Sequence, residues 1–164
     1  MTKKEQIFIQ TAEFLAQLNF SIIKQDNSRP WGGFYVIDED QAELFAAHFF
    51  PNEDISSINI SGKLSPKILI VAPGCRLSWQ YHYRRAEIWR CIKGQIAVAT
   101  SLADVETNRE ILNPGQIIKL QQGERHRLIG LDDWGIVAEI WQHTDANNPS
   151  DEDDIVRLQD DFGR

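Results

Sequence analysis

Residues 74–94, GCRLSWQYHYRRAEIWRCIKG, decide how the rest of the chain is read. They hold Gln80, His82 and Glu87 at the spacing Q-x-H-x4-E, closed by Gly94. A second segment, PGQIIKLQQGERH, ends on His126. In a strand, alternate residues share a face, so Arg76, Ser78, Gln80 and His82 are expected to point one way, and Glu87, Trp89 and Cys91 to share a face of the next strand. In a small closed barrel that face is the lumen. A divalent metal there takes imidazole nitrogens from His82 and His126 and oxygens from Glu87 and Gln80. Zn²⁺ suits two imidazoles and a carboxylate best, while Mn²⁺, Fe²⁺ and Ni²⁺ are compatible by ligand type.

Working outward, the chain from Ile55 on alternates short β-rich runs with turn signals. The runs are ISSINI, KILIVAP, LSWQYHY, AEIWRCI, QIAVAT, REIL, QIIKL, HRLIGL and WGIVAEIWQ. Pro73-Gly74, Lys93-Gly94, Asn113-Pro114-Gly115 and Gln122-Gly123 punctuate them, as does Ser61-Gly62. Such spacing predicts a β-sandwich or barrel. Before Ile55 the grammar differs. Residues 3–19 carry Ile7, Phe8, Ala12, Phe14, Leu15 and Leu18 near helical spacing, which predicts an amphipathic helix. Ser21 to Lys24 and Phe34 to Ile37 read as short strands, and Asp38 as the cap of a helix that Pro51 ends after Phe49. The expected organisation is a helical extension over 1–28 and a barrel domain over 29–164.

With 164 residues the chain is one domain's worth of core. Its net charge of −7 disfavours binding to nucleic acid, which needs a basic face. Yet Arg76, Arg84, Arg85, Arg90 and Lys93 cluster around Glu87, a local basic patch that suits a small anionic ligand. Two cysteines, Cys75 and Cys91, are too few for a disulfide framework and are expected as free thiols. No run reaches the roughly 18 apolar residues of a membrane span, and MTKKEQIFIQ lacks a signal-peptide pattern. A soluble cytoplasmic protein is expected, dimeric through an exposed sheet edge.

The two metal-bearing segments resemble the paired motifs of the cupin superfamily. The first, G-x5-H-x-H-x4-E-x6-G, is carried by Gly74, Gln80, His82, Glu87 and Gly94. The second, G-x5-P-x-G-x2-H-x3-N, is carried by Gly115, Gln121, Gly123, His126 and Gly130. All spacings match, with Gln80, Gln121 and Gly130 substituting for histidine, proline and asparagine. Within that superfamily the chain resembles the cupin domain of type II mannose-6-phosphate isomerases, often fused to a mannose-1-phosphate guanylyltransferase. The resemblance rests on Arg29-Pro30-Trp31-Gly32, Pro73-Gly74, Arg76-Leu77-Ser78, Gln80-Tyr81-His82 and Arg85-Ala86-Glu87 with Trp89. His126-Arg127-Leu128, Glu152-Asp153-Asp154-Ile155-Val156-Arg157 and Phe162-Gly163-Arg164 complete it, over roughly residues 29–164. Three features depart from it: His82-Tyr83-Arg84 stands where the family shows three histidines, residues 38–66 are longer, and the N-terminal helix lies outside. No glycine-rich nucleotidyltransferase signature is present.

The resemblance implies a double-stranded β-helix, a jelly-roll barrel, that interconverts mannose 6-phosphate and fructose 6-phosphate through an enediol. A base removes the C2 proton, and a metal or positive donors steady the negative oxygen. Arginine forks match phosphate oxygens, with Arg76, Arg85, Arg127, Arg157 and Arg164 as candidates. Arg76 stands out by strand parity and Arg85 by its adjacency to the motif. Glu139, in the apolar run Ile136–Trp141, is either the ion-pair partner of such an arginine or the general base, its pKa raised by burial. Tyr83 and Lys119 are rivals for that role. The catalytic set is thus Glu139 and Arg85, and the substrate set Arg76, Ser78, Arg127 and Lys119. Two other functions are carried alongside: a non-catalytic metal-containing cupin that binds a sugar or sugar phosphate, and an iron-dependent oxygenase, for which Gln80 is the wrong ligand. Trp79, Trp89 and Trp141 are expected as core packing, and the acidic run Asp151–Asp154 as a solvated turn.

Overall fold

In the computed structural model, residues 1–60 and 62–163 are described. The chain begins with helix α1 (Lys3–Gln17), strands β1 (Ile22–Asp26) and β2 (Gly32–Ile37), a 3₁₀ turn (Glu39–Gln41), and helices α2 (Ala42–Phe49) and α3 (Ile55–Ile58). Nine strands follow: β3 (Lys67–Val71), β4 (Trp79–Tyr81), β5 (Arg85–Lys93), β6 (Ile96–Ser101), β7 (Asn108–Leu112), β8 (Ile117–Leu120), β9 (Arg125–Gly130), β10 (Gly135–His143) and β11 (Val156–Gln159).

They form two antiparallel sheets, ordered β1-β2-β3-β10-β5-β8 and β11-β4-β9-β6-β7. From β3 to β10 the chain passes from one sheet to the other at every connection except the β6–β7 hairpin. That winding is the double-stranded β-helix of a cupin barrel. Gly94 makes the β5–β6 connection possible. Its φ is 72°, and a Cβ there would lie 2.3 Å from the Trp134 carbonyl oxygen, so only glycine fits without strain.

The strands sort their side chains by parity. On β3, β5 and β10, Ile68, Ile70, Ile88, Ile136, Ala138 and Ile140 face outward into a core shared with Ile7, Phe8 and Leu15 of α1 and Phe45 and Phe49 of α2. The helices therefore cover the outside of the six-stranded sheet. Tyr35 ties α1 down by donating its hydroxyl to the Phe8 carbonyl at 2.9 Å, and Arg90 donates to the Phe49 carbonyl at the end of α2. The barrel interior holds a separate apolar core of Trp31, Leu69, Val71, Trp89, Val98, Leu128 and Val137 among others.

Local chemistry explains where elements begin and end. Thr2 and Glu5 cap α1 reciprocally, Thr2 Oγ1 accepting from the Glu5 amide at 3.1 Å and Glu5 Oε2 from the Thr2 amide at 2.7 Å. Asp38 caps as expected, but it caps the 3₁₀ turn, from which α2 continues. The run ISSINI is a correction to the sequence reading: Ile55–Ile58 is a helical turn. Ser56 and Ser57 donate their hydroxyls back to Asp54, the local bonding by which serine competes with a sheet ladder. The residues before Arg29 are also more than a helix, since β1 extends the six-stranded sheet through β2. Cys75 and Cys91 are free, and burial pushes the Cys91 thiol up to about 11. Among the described residues no helix is long and apolar enough to cross a membrane.

Candidate metal centre

His82 lies just beyond β4, Glu87 on β5 and His126 on β9, so the two sheets together assemble the centre. All three are at most 2% exposed, and their ligand atoms lie within 4.8 Å of one another. The register places Gln80 directly opposite His126, on the same face of the β4–β9 pair. Ser78 Oγ donates to the Gln80 Oε1 at 2.6 Å and so fixes the amide.

The imidazoles are oriented from behind. His82 Nδ1 lies 2.6 Å from the Asp154 carbonyl and His126 Nδ1 lies 3.1 Å from the Glu124 carbonyl. A carbonyl only accepts, so each Nδ1 carries the proton and each Nε2 turns its lone pair towards Glu87. The Nε2 atoms lie 3.2 and 3.6 Å from the Glu87 carboxylate oxygens. His126 Nε2 is buried and has no hydrogen-bond partner among the described residues. Burial lowers the His126 pKa to about 4, Glu87 opposing, which leaves the ring neutral at neutral pH. Two imidazole Nε2 atoms turned towards one carboxylate, one of them orphaned, fit a divalent metal.

Glu87 and a second buried carboxyl, Glu139, have opposite electrostatic environments. Burial works against ionisation of Glu87, but Arg85, His82 and His126 outweigh it and hold the group well below the usual carboxylate range. Arg85 Nε donates to Glu87 Oε1 at 2.8 Å, and the guanidinium lies 3.6 Å from the centroid of the Trp141 ring. Glu139 is pushed up to about 8, first by burial and then by the charge of Glu87, with Lys67 and Arg85 opposing. Its two oxygens accept from the indole N–H groups of Trp89 at 2.7 Å and Trp141 at 2.8 Å. These tryptophans are packed, as expected, and they also position the acid. Gln80, Arg85, Glu87, Trp89 and Glu139 line one cavity of about 90 Å³, together with Arg29, Trp31, Lys67, Glu152 and Arg157.

Other residues singled out in the sequence lie elsewhere. Arg76 does not line this cavity; it forms a two-pronged ion pair with Asp161, at 2.6 and 2.9 Å. The four steps from Arg76 to Gln80 face only the three from His126 to Ile129, so a bulge interrupts the alternation. Arg76 consequently shares the outward face of Ile129, and Leu77 enters the cavity in its place. Arg127 is buried outside the cavity and braces the Leu77 carbonyl, Glu106 and Gln159. Lys119 is an exposed partner of Glu53 at 2.8 Å. Tyr83 is 59% exposed, and Arg84 lies 3.8 and 3.9 Å from Asp151 and Asp154, so neither lines the cavity. Arg164 lies outside the described residues.

Sequence reading missed Lys67, Glu152 and Asp154. Lys67 heads the otherwise apolar strand KILIV, and an inward-facing lysine there was a usable signal. Asp154 is 4% exposed, not part of a solvated turn. Its carboxylate accepts from the Tyr83 and Arg84 amides and from Ser150 Oγ, while its carbonyl orients His82. The preceding loop is tied down at Ser150, whose amide donates to His143 Nδ1 at 2.9 Å.

Barrel and cluster together define a cupin-type protein with two histidines and a carboxylate poised to hold a metal. The wider fold agrees. The capsular polysaccharide assembling protein CapF from Staphylococcus aureus superposes with a TM-score of 0.56 at 13% identity, over 83% of this chain and 31% of that one. Oxalate decarboxylase from Lactobacillus farciminis superposes with a TM-score of 0.55 at 17% identity, over 82% of this chain and 33% of that one. The family described as Mannose-6-phosphate isomerase C-terminal matches residues 38–160, and the chain belongs to that family. Its curated relatives include the alginate biosynthesis protein AlgA of Pseudomonas aeruginosa, 32% identical over 108 residues, which are 66% of this chain and 21% of AlgA. The xanthan biosynthesis protein XanB of Xanthomonas campestris pv. campestris is 31% identical over 83% of this chain and 23% of its own length. A mannose-1-phosphate guanylyltransferase of Sinorhizobium fredii is 28% identical over 80% and 20%. The chain thus spans between a fifth and a quarter of the length of these relatives.

Proposed function

We propose that the protein is a metal-dependent aldose–ketose isomerase acting on a sugar phosphate, with mannose 6-phosphate to fructose 6-phosphate as the reaction. The observation that carries this reading is the pair of buried carboxyls in one cavity: Glu87 held ionised among the histidines and Glu139 raised to about 8 beside it. Environments that split two carboxyl pKa values in this way assign one to charge and the other to proton transfer. Family membership supports the sugar-phosphate class.

His82, Glu87 and His126 would hold the metal, with Gln80 as a fourth donor that Ser78 keeps aimed. When bound, the metal supplies Lewis-acid stabilisation of a negative oxygen on the substrate. Glu139 takes the proton from C2 and returns it to C1, while the hydroxyl proton of O2 passes to O1. A pKa near the working pH lets one carboxyl serve in both directions. Trp89 and Trp141 fix the carboxyl by their indole N–H groups, and Arg85 fixes Glu87. Zn²⁺ fits the donor set best.

The test is to incubate metal-loaded protein with mannose 6-phosphate and couple fructose 6-phosphate to a reporter. Glu139→Gln is expected to lower kcat by about 10²–10⁴-fold with metal content retained. Glu87→Ala is expected to lose the metal, and a chelator the turnover. Tight binding of mannose 6-phosphate without turnover would overturn the isomerase reading in favour of a binding module.

A further inference from the structure

The cavity contains basic groups that the metal and the proton transfer do not use. Lys67 lies opposite Glu139 in the β3–β10 register and is 6% exposed. Its ammonium is 4.7 Å from the centroid of the Phe34 ring and 5.4 Å from that of Trp141. A buried ammonium needs a partner, and Lys67 has Glu152 at 2.6 Å. The Glu152 side chain, by contrast, is 58% exposed, on the stretch leading into β11. Arg29, just before β2, and Arg157, on β11, line the same cavity. With Lys24, Phe34, Glu152, Asp153 and Ile155 they also line an adjoining cleft of about 400 Å³. Trp31, 4% exposed, lines the cavity too, and its indole N–H is buried with no acceptor among the described residues.

A mostly exposed glutamate that reaches in to neutralise a buried lysine does what an anionic ligand would do. We propose that Lys67, Arg29 and Arg157, with the Trp31 indole N–H, form the phosphate subsite for a sugar phosphate, and that Glu152 occupies this seat until the ligand's phosphate displaces it. The substrate class rests on the isomerase reading above; the anion seat rests on the geometry. Phosphate brings more charge and more acceptor oxygens than one carboxylate, and both arginine forks match it. Glu152 gives way cheaply because most of its side chain already meets solvent. The aromatic walls, Phe34 and Trp141, keep the Lys67 ammonium from drifting away from the seat.

Calorimetry on metal-loaded protein, with mannose 6-phosphate and inorganic phosphate as ligands, tests the subsite. Lys67→Met and Arg157→Gln are each expected to weaken both ligands by about tenfold or more, the loss of a hydrogen bond to a charged group. Arg157 is exposed on an edge strand, so its variant folds even where Lys67→Met does not. Glu152→Gln is expected to tighten both ligands several-fold by removing the internal competitor. Weaker phosphate binding by Glu152→Gln overturns the displacement, because it makes Glu152 a ligand contact. Undiminished phosphate binding by Arg157→Gln and by folded Lys67→Met overturns the subsite. The two proposals fail separately. Lys67-dependent phosphate binding without turnover removes the isomerase and keeps the seat, whereas turnover with unchanged KM in both cation variants does the reverse.

Discussion

The two faces of β3, β5 and β10 treat charge in opposite ways. Outward, six aliphatic side chains from Ile68 to Ile140 pack under α1 and α2, and the one cation on that face of β5, Arg90, donates to the Phe49 carbonyl that ends α2. Inward, the same strands bury Lys67 paired with Glu152, Arg85 paired with Glu87, and Glu139, which accepts from two indole N–H groups. The outer face follows the hydrophobic effect, at about 25 cal/mol per Å² of apolar surface removed from water. The inner face is a balanced charge network, and such networks contribute little net stability because desolvation offsets the attraction between partners. Folding free energy and chemistry are thus placed on opposite sides of one sheet, one residue apart in sequence.

That division can be broken first on the outer face. Phe45 is fully buried between the rings of Phe20 and Phe49, at 5.5 and 4.7 Å. Phe45→Ala is expected to cost about 3–5 kcal/mol in a denaturant titration. Metal affinity of the folded variant, measured by calorimetry, should be unchanged if the helices serve the sheet and not the site. Loss of metal affinity would show the two faces to be coupled.

On the inner face the expected effect is smaller and depends on pH. Burial holds the His143 pKa down at about 4, against an ordinary 6.5. Between those values the unfolded chain binds a proton that the folded chain does not, so His143 makes stability fall as the pH drops from about 6.5 towards 4. His143→Gln removes this proton uptake. Denaturant midpoints of the variant should therefore decline less than wild type across that window and run parallel to it above pH 7. Parallel curves throughout would mean that His143 titrates alike in the folded and unfolded chains and contributes nothing to the acid limb.

The smallest effect is expected from a position on neither face. Tyr83, one of the departures from the resemblance noted in the sequence, has its ring exposed beside that of Tyr81, 5.4 Å between centroids. Tyr83→His should change stability by no more than about 0.5 kcal/mol and leave metal affinity and kcat/KM as they were. A large gain in turnover would place that turn in the substrate's path.

Much of this was legible in the sequence because it is periodic and local. The strands from KILIVAP to WGIVAEIWQ, the amphipathic first helix and the two histidine-bearing motifs are all patterns a few residues long. Gln80, His82, Glu87 and His126 could be named as one site because parity and motif spacing agreed. Arg76 shows where parity fails. A single extra residue between Arg76 and Gln80 turns the arginine outward to Asp161, and no composition signal marks the bulge. ISSINI fails for a related reason: its apolar spacing suits a strand, but serine hydroxyls and the lack of a partner strand select a turn of helix.

By itself, then, the sequence determined the barrel, the helical extension and the four candidate metal donors, since alternation and turn residues act over a few peptide units. Only the tertiary structure decided which charges meet. Lys67 and Glu152, Glu87 and Glu139, and Asp154 behind His82 are distant in the chain or hidden in ordinary-looking segments. Their pairing depends on which strands become neighbours: burial raises Glu139, and the cation and histidines gathered around Glu87 outweigh burial and lower it, only once the two sheets close.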